Sequence, residues 1–199
     1  MGFSAGLPLF LIFGTLSLWL REAGVERGVV TMFSWAALGY SFKFVWAPLV
    51  DQLPVPVLTN LLGKRRSWLL LSRVGIIMAI LLMSSIDPAA EGWTLQYLAA
   101  GAVLLGFSSA TQDIVIDAFR IESAEPRMQA LLASTYIAGY RLAMLVSGAG
   151  ALWLAEWLGS TASDYSYSAW EDTYRAMAGF MLVGVLTTLM VREPDHPSR

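Results

Sequence analysis

Residues 94–119 read TLQYLAAGAVLLGFSSATQDIVIDAF, and this stretch decides the fold. It is apolar for longer than the roughly 20 residues a helix needs to cross a bilayer core. Yet its second half holds two carboxylates, Asp113 and Asp117. Four residues apart, they share one helix face, and Arg120 extends the same stripe. On insertion scales a charge at the bilayer centre costs roughly 2.5–3.5 kcal/mol, so such groups face a partner or a watery cavity.

Similar apolar segments flank this one. The sequence predicts spans at Met1–Leu20, Val29–Val50, Ser67–Ile86, Thr94–Phe119, Gln129–Leu158 and Tyr174–Val191. That is an all-α membrane protein of six transmembrane helices in one domain, 1–199. The composition agrees: 56% of residues are hydrophobic and 14% charged, where soluble domains carry about 25% charge. Eight tryptophans and seven tyrosines suit the two membrane interfaces. The first segment lacks the basic start and the cleavage site of a signal peptide.

Composition also excludes function classes. A net charge of −2 offers no basic field for nucleic acid. Cysteine is absent, and the one histidine, His196, lies in the polar tail. Metal centres, cofactor chemistry and histidine-based catalysis are therefore not expected, and the chain reads as a non-enzyme. An intramembrane aspartyl protease would need carboxylates from two helices, whereas Asp113 and Asp117 share one.

Lys and Arg outside the spans set the orientation. Lys64, Arg65, Arg66, Arg120, Arg127, Arg192 and Arg199 fall on one side, against Arg21, Arg27 and Arg175 on the other. Both termini are expected to be cytoplasmic.

Within the spans the ionisable groups are Lys43, Arg73, Asp113, Asp117 and Arg141. Gln112 sits beside Asp113, and Tyr136 and Tyr140 place two hydroxyls on one face next to Arg141. Three readings stay open. A carboxylate, Asp113 or Asp117, takes up and releases a proton during transport. Alternatively Lys43 and Arg141, with Gln112, Tyr136 and Tyr140, hold an anionic part of a substrate. Or the charges form an ion-pair network that only joins helices. The depth of Asp117 favours a structural role for it. After the second span, Asp51 and Gly63-Lys64-Arg65-Arg66 read either as a topology anchor or, with Arg120, as a cytoplasmic gate. Small residues in the fifth span, Gly139, Ser147, Gly148, Gly150 and Ala151, allow close helix approach or form a surface along which helices bend.

These stretches together resemble a known family. Gly2-Phe3-Ser4-Ala5-Gly6-Leu7-Pro8-Leu9, Phe42-Lys43-Phe44-Val45-Trp46-Ala47-Pro48-Leu49-Val50-Asp51, Gly63-Lys64-Arg65-Arg66-Ser67-Trp68, Ala110-Thr111-Gln112-Asp113-Ile114-Val115-Ile116-Asp117-Ala118 and Gly139-Tyr140-Arg141-Leu142 occur in the expected order. The chain looks like the N-terminal half of an AmpG-type muropeptide permease of the major facilitator superfamily, to which acetyl-CoA transporters are a related branch. The resemblance implies proton-coupled import of anionic glycopeptides across the bacterial inner membrane for cell-wall recycling. It also implies that the Asp51–Arg66 loop is the superfamily's latch, often paired with a carboxylate at the inner end of the fourth helix, a place that suits Asp117. Gln52 stands where a basic residue is common. The implied partners are a small-molecule substrate, protons, the lipid bilayer, and a second six-helix half or a second copy of the chain. A transporter of another anionic solute such as acetyl-CoA, or a non-transporting scaffold, is the alternative.

Overall fold

A computed structural model describes residues 1–33, 41–123 and 126–193. Its helices are α1 (Gly2–Glu22), α2 (Arg27–Phe33), α3 (Lys43–Gln52), α4 (Leu58–Leu62), α5 (Lys64–Ser84), α6 (Thr94–Ser123), α7 (Gln129–Trp157) and α8 (Tyr167–Met190). Five of these, α1, α5, α6, α7 and α8, are long and apolar enough to cross a membrane. The expected span 29–50 is described only at its two ends, within α2 and α3; residues 34–40 lie outside the described residues, as do His196 and Arg199.

Several helices run past their expected ends, α6 and α8 the furthest. α6 continues to Ser123 beyond Phe119, and α8 starts at Tyr167, seven residues before Tyr174. Hydropathy stops where lipid stops, but the backbone hydrogen bonds of a helix continue into the polar layer. Ser166, extended at φ −125°, marks the true start of α8.

The core forms where α1, α5, α6 and α8 meet. Leu11 and Trp19 of α1, Ile76 and Ile80 of α5, Leu105 of α6 and Trp170 of α8 are all fully buried in one cluster. α1 also lies directly on α7. Any Cβ at Gly2 or Gly6 would run into the backbone carbonyls of Tyr136 and Tyr140, and one at Gly139 would stand 3.1 Å from the Phe3 nitrogen. The GxxxG spacing of Gly2 and Gly6 thus lets two backbones touch, which supplies the packing that lipid does not.

At the Trp19 end, aromatic rings and carboxylates lock the bundle. Trp19 stacks on Trp170 at 5.8 Å between ring centres and tilts against Tyr174 at 4.7 Å. Glu22 Oε2 accepts from the Trp170 indole N–H (2.8 Å) and from the Ser160 hydroxyl (2.8 Å). The Tyr165 hydroxyl accepts from Trp19 Nε1 at 3.3 Å and donates to Asp87 at 2.8 Å. Burial raises its pKa above the ordinary tyrosine value, so it stays protonated as a donor. Tryptophan and tyrosine suit this place because each offers an apolar body and one polar tip.

Candidate functional site

The charges singled out in the sequence fall into three groups, two within the spans and one in a loop, and the structure separates them. The first surrounds Arg73, which is fully buried on α5. Its Nε donates to Gln112 Oε1 at 3.0 Å and its Nη2 to the Ser4 hydroxyl at 3.0 Å. Its Nη1 donates to the Gly184 carbonyl and to the Thr188 hydroxyl. Gln112 in turn donates from Nε2 to the Ser4 carbonyl at 2.9 Å. One guanidinium therefore joins α1, α5, α6 and α8 through neutral acceptors. Gln112, expected beside Asp113 as a substrate group, is fully buried, and its amide serves this network. Its oxygen and nitrogen are both engaged in helix packing.

The second group centres on Asp113. Its side chain is half-buried, and its Oδ1 is shut away from solvent with no hydrogen-bond partner among the described residues. Lys43 is the cation whose charge acts on it, and Asp117 the anion. α3 delivers Lys43 to this place because Trp46, one turn on, donates to the Thr111 hydroxyl of α6 at 3.2 Å and packs on Phe107 at 4.8 Å. From α7, Tyr136 and Tyr140 lie within range of the Asp113 charge, their rings 6.0 Å apart. Arg141, next to Tyr140, is exposed on α7. Asp117 pairs with Arg120 at 3.4 Å, and the Arg120 guanidinium lies 5.1 Å from the centre of the Tyr136 ring. A pocket of about 270 Å³ between α1, α6 and α7 is lined by Phe119, Arg120, Thr135 and Tyr136, among others. The sequence-predicted residues Lys43, Asp113, Asp117, Tyr136 and Tyr140 thus come together, Arg141 sits at their edge, and Gln112 is withdrawn from them.

The third group is the loop between α3 and α5. Arg65, 7% exposed, forks onto three oxygens: Asp51 Oδ1 at 2.7 Å, and Glu122 Oε1 at 2.6 Å and Oε2 at 3.0 Å. The bidentate geometry with Glu122 is the strong form of an arginine–carboxylate pair. Lys64 donates to the Asp51 carbonyl. Arg66 caps the far end of α8, donating to Thr188 O at 3.0 Å and Leu189 O at 2.8 Å. The implied helix-four partner of the latch, Asp117, is not the one found. Glu122 holds that place, because five residues turn a helix by about 140° and carry the side chain from the α7 side to the α5 side. Glu193 was also missed. Its two carboxylate oxygens accept from the backbone N–H groups of Arg65 (2.7 Å) and Arg66 (3.0 Å), satisfying orphan donors at the positive end of α5. Both glutamates stand beyond the apolar runs, where a search for charges inside lipid does not look.

Gly63 makes this capping possible. It sits at φ +88°, ψ 167°, a region that side-chain-bearing residues avoid, and a Cβ there would stand 2.6 Å from Glu193 Cγ. Gly63→Ala is therefore expected to cost about 1–3 kcal/mol. The measure is thermal unfolding of the detergent-solubilised chain, and an unchanged midpoint would refute the assignment.

Among the described residues no cluster of histidine, cysteine and carboxylates could hold a metal ion.

Comparison with known proteins places these features in a lineage. The family model described as acetyl-coenzyme A transporter 1 matches residues 1–191. The anhydromuropeptide permease of Escherichia coli K12 is 37% identical over 195 residues, which cover 98% of this chain and 36% of that protein. The transporter AmpG 4 of Rickettsia felis is 37% identical over 195 residues, 98% of this chain and 44% of its own length. An uncharacterized protein of Haemophilus influenzae is 34% identical over 194 residues, 97% and 42% respectively. The chain spans less than half the length of these curated relatives. Family match, similarity along 97–98% of this chain and a helical set of apolar spans agree: the chain is an all-α membrane protein of the acetyl-coenzyme A transporter 1 family, in the branch of the AmpG-type permeases.

Proposed function

We propose that the chain forms the N-terminal half of a proton-coupled importer of anhydromuropeptide-type glycopeptides in a bacterial inner membrane, with both termini cytoplasmic. The observation that carries this reading is the Asp113 oxygen, which has no hydrogen-bond partner among the described residues and is buried beside the charge of Lys43 at the level of two tyrosines. A buried polar atom without a partner is costly in a structural network and useful where a proton comes and goes. Asp113 is the proton carrier, with Asp117 and Arg120 beside it. Lys43, Tyr140 and Arg141 face the anionic solute. Asp51, Lys64, Arg65, Glu122 and Glu193 latch the cytoplasmic side. The second half of the site comes from six further helices or from a second copy of the chain, as transporters of this class bind between halves.

The test is uptake of radiolabelled anhydromuropeptide by right-side-out vesicles carrying the transporter, with and without a proton gradient. Uptake that ignores the gradient would sink proton coupling, and no uptake from folded protein would sink the substrate. A second reading, transport of acetyl-CoA, is favoured by the family's description. Competition decides between them: unlabelled acetyl-CoA abolishes glycopeptide uptake only if it is the tighter solute.

Arg141→Ala is expected to raise the half-saturating concentration of an anionic solute about tenfold, since a hydrogen bond to a charged group contributes about 1.5–3 kcal/mol. Arg141→Lys should restore part of it. An unchanged half-saturation in the alanine variant would take Arg141 out of the site.

A further inference from the structure

Two wide helical turns face each other across the α1–α7 contact. α1 is π-helical over Leu11–Thr15 and α7 over Val146–Gly150. Such turns hold one extra residue, interrupt the regular ladder of hydrogen bonds, and recur at functional sites and where helices kink. Pro8 precedes the first, but α7 has no proline, so proline is not their common cause. What they share is contact. The Thr15 hydroxyl donates to the Ser147 carbonyl at 2.5 Å, giving a partner on the other helix to an oxygen inside the wide turn. The Phe10 ring lies where two glycines leave room. A Cβ at Gly148 would stand 2.7 Å from its Cε1, and one at Gly14 would collide with the same edge.

On either side of this pair both helices are anchored. Toward Asp51, α1 and α7 touch backbone to backbone at Gly2, Gly6 and Gly139, and Ser4 is bound to Arg73 and Gln112. Toward Trp19, α1 is fixed by the stack on Trp170 and by Glu22, and α7 by the buried Ala151 and Ala155. Between two anchored layers, the paired wide turns are where both helices depart from regular α-helical winding together. We infer that the facing turns Leu11–Thr15 and Val146–Gly150 form a single hinge, with the Phe10 ring as its pin, about which the Asp51-side halves of α1 and α7 bend as one relative to the Trp19 side. Ser4 is held by hydrogen bonds from the Arg73 guanidinium and the Gln112 amide, and a serine forms no ion pair that a change of angle would have to break.

The chain has no cysteine, which makes paired spin labels clean. One label pair crosses the hinge, Ser134→Cys on α7 with Leu82→Cys on α5. A control pair stays on the Trp19 side, Glu156→Cys with Leu82→Cys. Ser134 is twelve residues from Val146, about 18 Å along the helix, so a 20° bend moves it by about 6 Å. Distances are read by electron–electron double resonance in membrane vesicles holding the complete transporter, at low and high pH and with added muropeptide. The expected result is a shift of about 6 Å in the crossing pair and none in the control. Gly148→Ala, which crowds Phe10, should shrink that shift, and Phe10→Leu in the same chain should restore it. The choice of trigger rests on the transport reading, and uptake in the same vesicles separates the two. Uptake with both label pairs fixed overturns the hinge. Bending of the crossing pair without uptake upholds the hinge and removes the transport reading.

Discussion

Arg73→Ala is expected to cost the fold about 3–5 kcal/mol, since each buried acceptor left without its donor costs about 1–3 kcal/mol and several are left so. The reasoning weighs two opposed effects. A guanidinium taken out of water is expensive, and among its hydrogen-bond partners in the structure there is no carboxylate. Against that, the side chain satisfies acceptors on three other helices, and in lipid those acceptors have no water to turn to. Gln112 Oε1 suffers most, because the same amide's nitrogen remains tied to Ser4. Alanine removes the donors and also leaves a cavity, so both terms destabilise. Arg73→Met separates them. It keeps most of the volume and abolishes the buried charge, so it should lose less than half as much as alanine. Unfolding midpoints of the three proteins in one detergent give the order. Methionine as damaging as alanine would show that the hydrogen bonds outweigh the desolvation of the charge.

The second large effect is on transport. With Asp113→Asn, gradient-driven uptake is expected to fall at least about tenfold, equivalent to about 1.4 kcal/mol of lost coupling, while the protein stays folded. Asparagine matches the carboxylate in shape but cannot exchange a proton, and among the described residues Asp113 Oδ1 has no hydrogen bond to lose. Exchange of labelled for unlabelled solute without a gradient should survive, which distinguishes lost coupling from lost binding. Asp117→Asn makes the comparison, since Asp117 is half-exposed and engaged with Arg120, and its effect should be smaller. Wild-type uptake by the Asp113 variant would remove that residue from the mechanism.

Much of this was legible along the chain because lipid makes charge conspicuous. The membrane class follows from composition, and Asp113, Lys43 and Arg141 stand out as ions within apolar spans. What the sequence hides is which neutral group answers which ion. Arg73 is visible as a charge in the third span, but its acceptors are a serine, a glutamine, a threonine and a glycine carbonyl on three other helices. None of these is unusual in a span. Gln112 was grouped with Asp113 because they are neighbours in sequence, yet consecutive residues of a helix point about 100° apart. Glu122 and Glu193 fall outside the apolar runs, where acidic residues are ordinary. The wide turns leave no mark at all, since an extra residue in a helix does not alter a uniformly apolar pattern.

The buried Arg73 also sets a schedule for making this protein. Chains are synthesised from the N-terminus, so α5 enters the membrane well before α8 exists. Gly184 and Thr188, which receive one arm of the guanidinium, lie more than a hundred residues later, and Glu193, which caps the start of α5, follows them. Until α8 arrives, a nascent chain carries a cation in lipid with part of its hydrogen bonding unmet. Insertion of α5 must therefore be provisional, and the arrival of α8 decides whether the earlier helices stay in place.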